Sequence, residues 1–136
     1  MASSYTYAPV RGWDETGDAA FIRPCIKYSR TTGQFRIVQD GLYIIISHLA
    51  FLGPSISTDL FAQKVMRVGF SEPVLVDMRR GVSTDLAPGS APVQNSVTAG
   101  ITRLRADDLL YVEAKPADKL AVAYSYFSVV KLQDGA

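Results

Sequence analysis

Two residue types that build many catalytic and cross-linked sites are scarce: the chain has one cysteine, Cys25, and one histidine, His48. A single cysteine excludes a disulfide within the chain. A structural zinc site takes about four Cys or His ligands, and this pair does not supply them. A hydrolytic triad built on His48 needs a nucleophile and an orienting acid around it, and no Gly-x-Ser-x-Gly elbow is present. There is no glycine-rich phosphate cradle and no recognisable calcium loop. Asp14-Glu15 and Asp107-Asp108 are adjacent acids. Neighbours on an extended chain point to opposite faces, so both pairs read as turn residues rather than as an acid–base couple. These absences predict a protein that is not an enzyme and uses no cofactor or metal.

Long apolar runs and charge excess are missing too. No segment reaches the roughly 18 apolar residues of a membrane-spanning helix. The start, Met1-Ala2-Ser3-Ser4-Tyr5, has neither the basic nor the apolar stretch of a signal peptide, which leaves a cytosolic protein or an excised domain. A formal net charge of +1 gives no long-range pull on nucleic acid or an anionic membrane. Arg79-Arg80 reads as solvated loop charge. Helical periodicity is nearly absent, with 59–68 the nearest candidate.

What is present is a chain of 136 residues, 48% hydrophobic and 20% charged. That is one globular domain with enough length for a core that needs no staples. Short β-branched and aromatic runs alternate with Gly, Pro, Ser and Asp clusters. They predict strands over 20–28, 34–38, 41–52, 60–68, 73–78, 95–104, 109–114 and 124–132. Turn chemistry separates most of them, at Thr32-Gly33, Asp40-Gly41, Gly53-Pro54, Gly69-Phe70 and Asp107-Asp108. Residues 81–92 read as a long loop. About eight strands in one small domain leave a closed barrel, an immunoglobulin-like sandwich or a jelly roll. The Cys, Trp and Cys signature of the immunoglobulin fold is impossible with one cysteine.

The stretch 41–52, Gly-Leu-Tyr-Ile-Ile-Ile-Ser-His-Leu-Ala-Phe-Leu, is apolar on both faces. A sandwich strand with one wet face alternates instead. Tyr43, Ile45, Leu49 and Phe51 suit the interior. Leu42, Ile44, Ile46, Ala50 and Leu52 then need a second dry surface, supplied by the chain's own loops or by another subunit. The last strand repeats the pattern, with Phe127 and Val129 on one face and Tyr124, Tyr126, Val130 and Leu132 on the other. Left bare, such a surface exceeds what monomers usually expose.

Three segments carry a resemblance. Asp40 to Phe51 is similar to the run G-L-Y-x-[IV]-Y-S-Q-[VL]-x-F of the tumour necrosis factor (TNF) ligands. Thr98-Ala99-Gly100-Ile101-Thr102-Arg103-Leu104-Arg105-Ala106-Asp107-Asp108-Leu109 resembles their [SG]-[AG]-G-[IV]-x-x-L-x-x-G-D-x-[LI]. Tyr126-Phe127-Ser128-Val129-Val130-Lys131-Leu132 resembles their closing [YF]-F-G-x-x-x-L. The three stand in the family's order, and the resemblance covers 13–132. Trp13 and the run Tyr28 to Phe35 look most like the ectodysplasin end of the family. Ile46, His48 and Ser128 depart from the usual Tyr, Gln and Gly. The complement-type globular heads share the fold and part of the spacing, at Thr32-Gly33-Gln34-Phe35, Gly41-Leu42-Tyr43 and His48.

The resemblance implies an all-β jelly-roll sandwich assembling as a homotrimer. It implies a domain over 13–132, an N-terminal arm over 1–12 and a tail over 133–136. It implies an extracellular ligand, released from or displayed on a type II membrane precursor, whose receptor binds in the grooves between protomers. Carried over position by position, Ile44, Ile46, His48, Val97 and Tyr126 line the trimer interior. Receptor contacts fall on loops, for which Phe70 with Glu72, Trp13 with Asp14, and Arg79 with Arg80 are the candidates. Trp13 also suits a core position. The alternative is a complement-head-like module, or another jelly-roll adhesion, lectin or capsid module.

Overall fold

The computed structural model describes residues 7–13, 20–21, 26–52, 60–80, 93–116 and 119–134. Within them the chain is a two-layer β-sandwich. Its strands are β1 (Ala8–Pro9), β2 (Ala20–Phe21), β3 (Ile26–Ser29), β4 (Gln34–Ile37), β5 (Gly41–Leu52), β6 (Leu60–Arg67), β7 (Leu75–Arg80), β8 (Val93–Leu104), β9 (Leu109–Lys115) and β10 (Tyr126–Asp134). The first sheet runs β3-β4-β9-β6-β7, with β1 also paired to β9; the second runs β2-β10-β5-β8. All pairings are antiparallel except β10 with β2. The strand pattern had left a barrel or a jelly roll, and this is the jelly-roll sandwich that the resemblance implied.

Alternation places the core. On β9 every second residue is buried, Leu110, Val112 and Ala114. Tyr43, Ile45, Leu49 and Phe51 on β5 face it from the other layer, as expected from the sequence. Burying side chains of this size stabilises by about 1.5–3 kcal/mol each. At one end Trp13, Phe35 and Phe127 form an aromatic group, with Phe35 and Phe127 4.5 Å apart and Trp13 about equally close to both. Three turns between paired or successive strands use left-handed backbone, at Asp107 (φ 72) between β8 and β9, at Gly69 (φ 90) between β6 and β7 and at Gly33 (φ 72) between β3 and β4. The Asp108 carboxylate accepts from the Arg105 amide and closes the first of them.

One buried polar group spans the layers. Gln63 on β6 is fully buried, and its Nε2 donates to the carbonyls of Ser47 on β5 and Ser96 on β8, and to the Ser96 hydroxyl. Ser96 Oγ in turn donates to Asp77 on β7 at 2.6 Å. A single amide therefore ties β6 to β5 and β8, and the Ser96 hydroxyl extends the network to β7.

Several strand expectations are corrected. Residues 20–28 do not form one strand: β2 belongs to the second sheet and β3 to the first. Pro24, without an N–H, argues physically against one unbroken ladder there. The last strand begins at Tyr126, because Val122–Tyr124 form a 3-10 turn. β7 starts at Leu75 rather than Pro73 and runs through Arg79 and Arg80, which are strand residues and not loop charge. The strand expected over 60–68 is present as β6, although 59–68 was also the nearest candidate for a helix. β1 was not expected; its pairing with β9, and the burial of Val10, bring part of the arm into the sandwich. Cys25 and the loop 81–92 lie outside the described residues. No helix among the described residues is long and apolar enough to cross a membrane.

Candidate functional site

Many of the apolar residues left outside the core collect on the outer face of the second sheet. β5 lies between β10 and β8, so register alone fixes who meets whom. His48 stands opposite Tyr126 on one side and Val97 on the other. Two residues along, Ile46 stands between Ser128 and Ala99, and beyond it Ile44 stands between Val130 and Ile101. The next row, Leu42 between Gln133 and Arg103, is polar at its edges. The outcome is a three-row band, apolar except for Ser128 and one end of the His48 ring, bounded by charge.

The band is open. Ile101 is 62% exposed, Val97 44% and Tyr126 38%, while Ile44 and Ile46 at the centre are half-buried by their own neighbours. None of these residues joins the interior core cluster. Leu132, on β10 itself, and Tyr124, just before it, are also exposed. Monomeric proteins seldom keep a contiguous patch of this kind in water. At its end the His48 ring lies 5.1 Å from that of Tyr126, and Nε2 shares a 3.0 Å hydrogen bond with Asn95 Oδ1. Nδ1 is buried with no hydrogen-bond partner. Chemically the band can do one thing well, which is to cover and be covered by another dry surface.

The five residues expected to line a trimer interior, Ile44, Ile46, His48, Val97 and Tyr126, thus share one face: Tyr126, His48 and Val97 form one row, and Ile46 and Ile44 are the centres of the next two. Sequence reasoning missed Ala99 and Ile101 as members. The signal was there, since Val97, Ala99 and Ile101 alternate with Thr98, Gly100 and Thr102, but only the register put Ile101 opposite Ile44.

The expected receptor contacts are scattered. Phe70, 53% exposed, sits at the turn after β6 with Glu72 beside it, also exposed. The Arg67 guanidinium lies over the Phe70 ring at 3.7 Å, a cation–π contact that holds the ring at the surface. Arg79 and Arg80 are at the far end of β7, roughly 15–20 Å away at ordinary strand rise. Arg79 is exposed and bridges Asp77 at 2.9 Å. Trp13 presents no surface to a partner: it is 2% exposed and packs against Phe35 and Phe127. A bulky apolar ring gains more from the core than from water, so its place among the contacts is withdrawn. Asp14 lies outside the described residues.

A family model described as the TNF (Tumour Necrosis Factor) family matches residues 11–132. No curated protein matches the chain.

Proposed function

As the chain belongs to the TNF family, we propose that it is a ligand domain that trimerises through the outer face of its second sheet and binds a TNF-receptor-like protein in the grooves between protomers. TNF-family proteins are cytokines rather than enzymes, and as a class they act outside the cell. The observation that carries the reading is the apolar band of Ile44, Ile46, Val97, Ile101 and Tyr126, exposed on a single protomer. Obligate interfaces are core-like and hydrophobic, and three copies meeting on this band remove it from water. Grooves then form where protomer edges meet, and the turn holding Phe70 and Glu72 offers an exposed aromatic beside charge, a composition common in anchoring contacts. Arg79, Arg80 and Asp14 remain candidates for the groove walls. The domain is displayed on, or shed from, a type II membrane precursor.

Sedimentation at micromolar concentration tests the reading. The parent chain is expected at the mass of three protomers. Ile46→Asp places a charge in the centre of the band, where desolvating it without a partner is expensive, and is expected to sediment as a monomer with the same far-UV spectrum. A parent chain that is monomeric throughout the micromolar range overturns the proposal.

A further inference from the structure

The opposite side of the sandwich carries different chemistry. Between residues 19 and 39 the sequence contains Arg23, Lys27, Arg30 and Arg36 and no acidic residue. In a chain of net charge +1, that is a local concentration of cation. The β3–β4 hairpin then places Lys27 directly opposite Arg36, and Ser29 opposite Gln34. Like charges facing each other across a strand pair are unfavourable by themselves, and an anion between them reverses the sign. Lys27 has no acidic partner among the described residues. Arg36 reaches Asp107 at 3.2 Å, but both groups are well exposed (41% and 82%), so water weakens that pair. A guanidinium has five N–H donors, and this one keeps several for another anion.

These two cations line a cleft of about 300 Å³ together with Tyr28, Ser29, Thr32, Gln34 and Leu109. The Ser29 hydroxyl accepts from the Thr32 amide and so keeps its own proton to donate. A second cleft shares Thr32 and Gln34 and continues to Arg11. The result is a track on the outer face of the first sheet, with Lys27 and Arg36 at one end, Arg11 at the other, and uncharged hydroxyl and amide groups between. Glu113 lines the second cleft with Arg11.

We propose that this track binds a sulfated saccharide chain. Sulfate groups lie against Lys27–Arg36 and against Arg11, and the sugar hydroxyls between them bond to Ser29, Thr32 and Gln34. A free anion uses one end only. A chain of hydroxyls with spaced anions complements both the charges and the neutral polar groups.

The experiment is titration of the full chain with a sulfated oligosaccharide of about six sugars, followed by amide NMR and calorimetry. Saturable binding is expected, with shifts at Ser29, Thr32 and Gln34. Lys27→Gln is expected to weaken it by about tenfold or more. Lys119→Gln, which removes the same charge elsewhere, should stay within about twofold, and Lys27→Arg should restore binding. The unsulfated oligosaccharide should not bind. Equal losses in Lys27→Gln and Lys119→Gln overturn the site in favour of bulk charge. So does sodium sulfate or poly-glutamate binding as tightly at matched ionic strength, or the absence of any saturable binding. The track and the apolar band lie on opposite faces, so Ile46→Asp should bind the saccharide as the parent does, and failure here leaves the trimer reading untouched.

Discussion

Tyr7 shows how much a single side chain's surroundings decide. Its ring lies under two ammonium groups, Lys64 Nζ at 4.2 Å and Lys115 Nζ at 4.6 Å. Its hydroxyl is buried and has no hydrogen-bond partner. Burial first, and the nearby Glu113 carboxylate second, push the phenol pKa above its ordinary value. A raised pKa means that folding favours the neutral phenol. That contribution is complete below the unfolded value of about 10, and is lost as pH rises through the higher folded value. Tyr7→Phe should therefore melt like the parent at neutral pH and progressively above it beyond about pH 10. Thermal melts of the two proteins across that range check the sign. Parallel pH curves would refute it. Asp134 is the opposite case: its hydrogen bond and charge contact with Lys131 hold the carboxyl below the usual range. Full exposure leaves that pair little weight in stability.

Among the elements, β6 joins the layers through the buried side chain of Gln63. Both protons of one buried amide serve three acceptors on β5 and β8. Replacing it by an apolar group of similar size leaves those carbonyls and the Ser96 hydroxyl without this donor. Gln63→Leu should lower stability by about 1–3 kcal/mol, read as a shift in the urea midpoint at unchanged slope. An unchanged midpoint would show that the network carries no net weight. The strands themselves were legible to different degrees. β5 was read to the residue, because a twelve-residue apolar run bounded by Asp40-Gly41 and Gly53-Pro54 has few other solutions. β9 was nearly so, because its alternation is strict. The partition of 20–28 between two sheets was not legible, since composition says that a segment is extended but not which layer it joins. The start of β10 was missed for a similar reason: Tyr124 has a strand-like side chain, yet the Ser125 amide bonds back to the Val122 carbonyl at 3.0 Å and the backbone turns instead.

At the scale of the molecule, the two outer faces differ in kind. One is an apolar band and the other a cationic, hydrogen-bonding track. If three protomers share the band, part of what holds each fold together belongs to the assembly, and stability becomes concentration-dependent by mass action. The melting temperature of the parent should then rise with protein concentration across the micromolar range, while that of Ile46→Asp should be lower and constant. Concentration-independent melting of the parent would place the band outside the assembly. The candidate contacts for a receptor behave differently at this scale. Phe70 and Glu72 lie together at one end of β7 and Arg79 at the other, so their joint use depends on how protomer edges are arranged.

By itself the sequence determined that this chain folds as β-strands, that it holds no disulfide, and that Tyr43, Ile45, Leu49 and Phe51 point one way while Ile44 and Ile46 point the other. Those properties follow from composition and from the two-residue repeat of an extended chain, which is local. Only the tertiary structure decided that Ile101 and Val130 flank Ile44, that Trp13 is core, that Gln63 bridges the sheets, and that Lys27 faces Arg36. Each of these depends on register between segments far apart in the chain, and register is set by which side chains pack together across strands. No local pattern contains it.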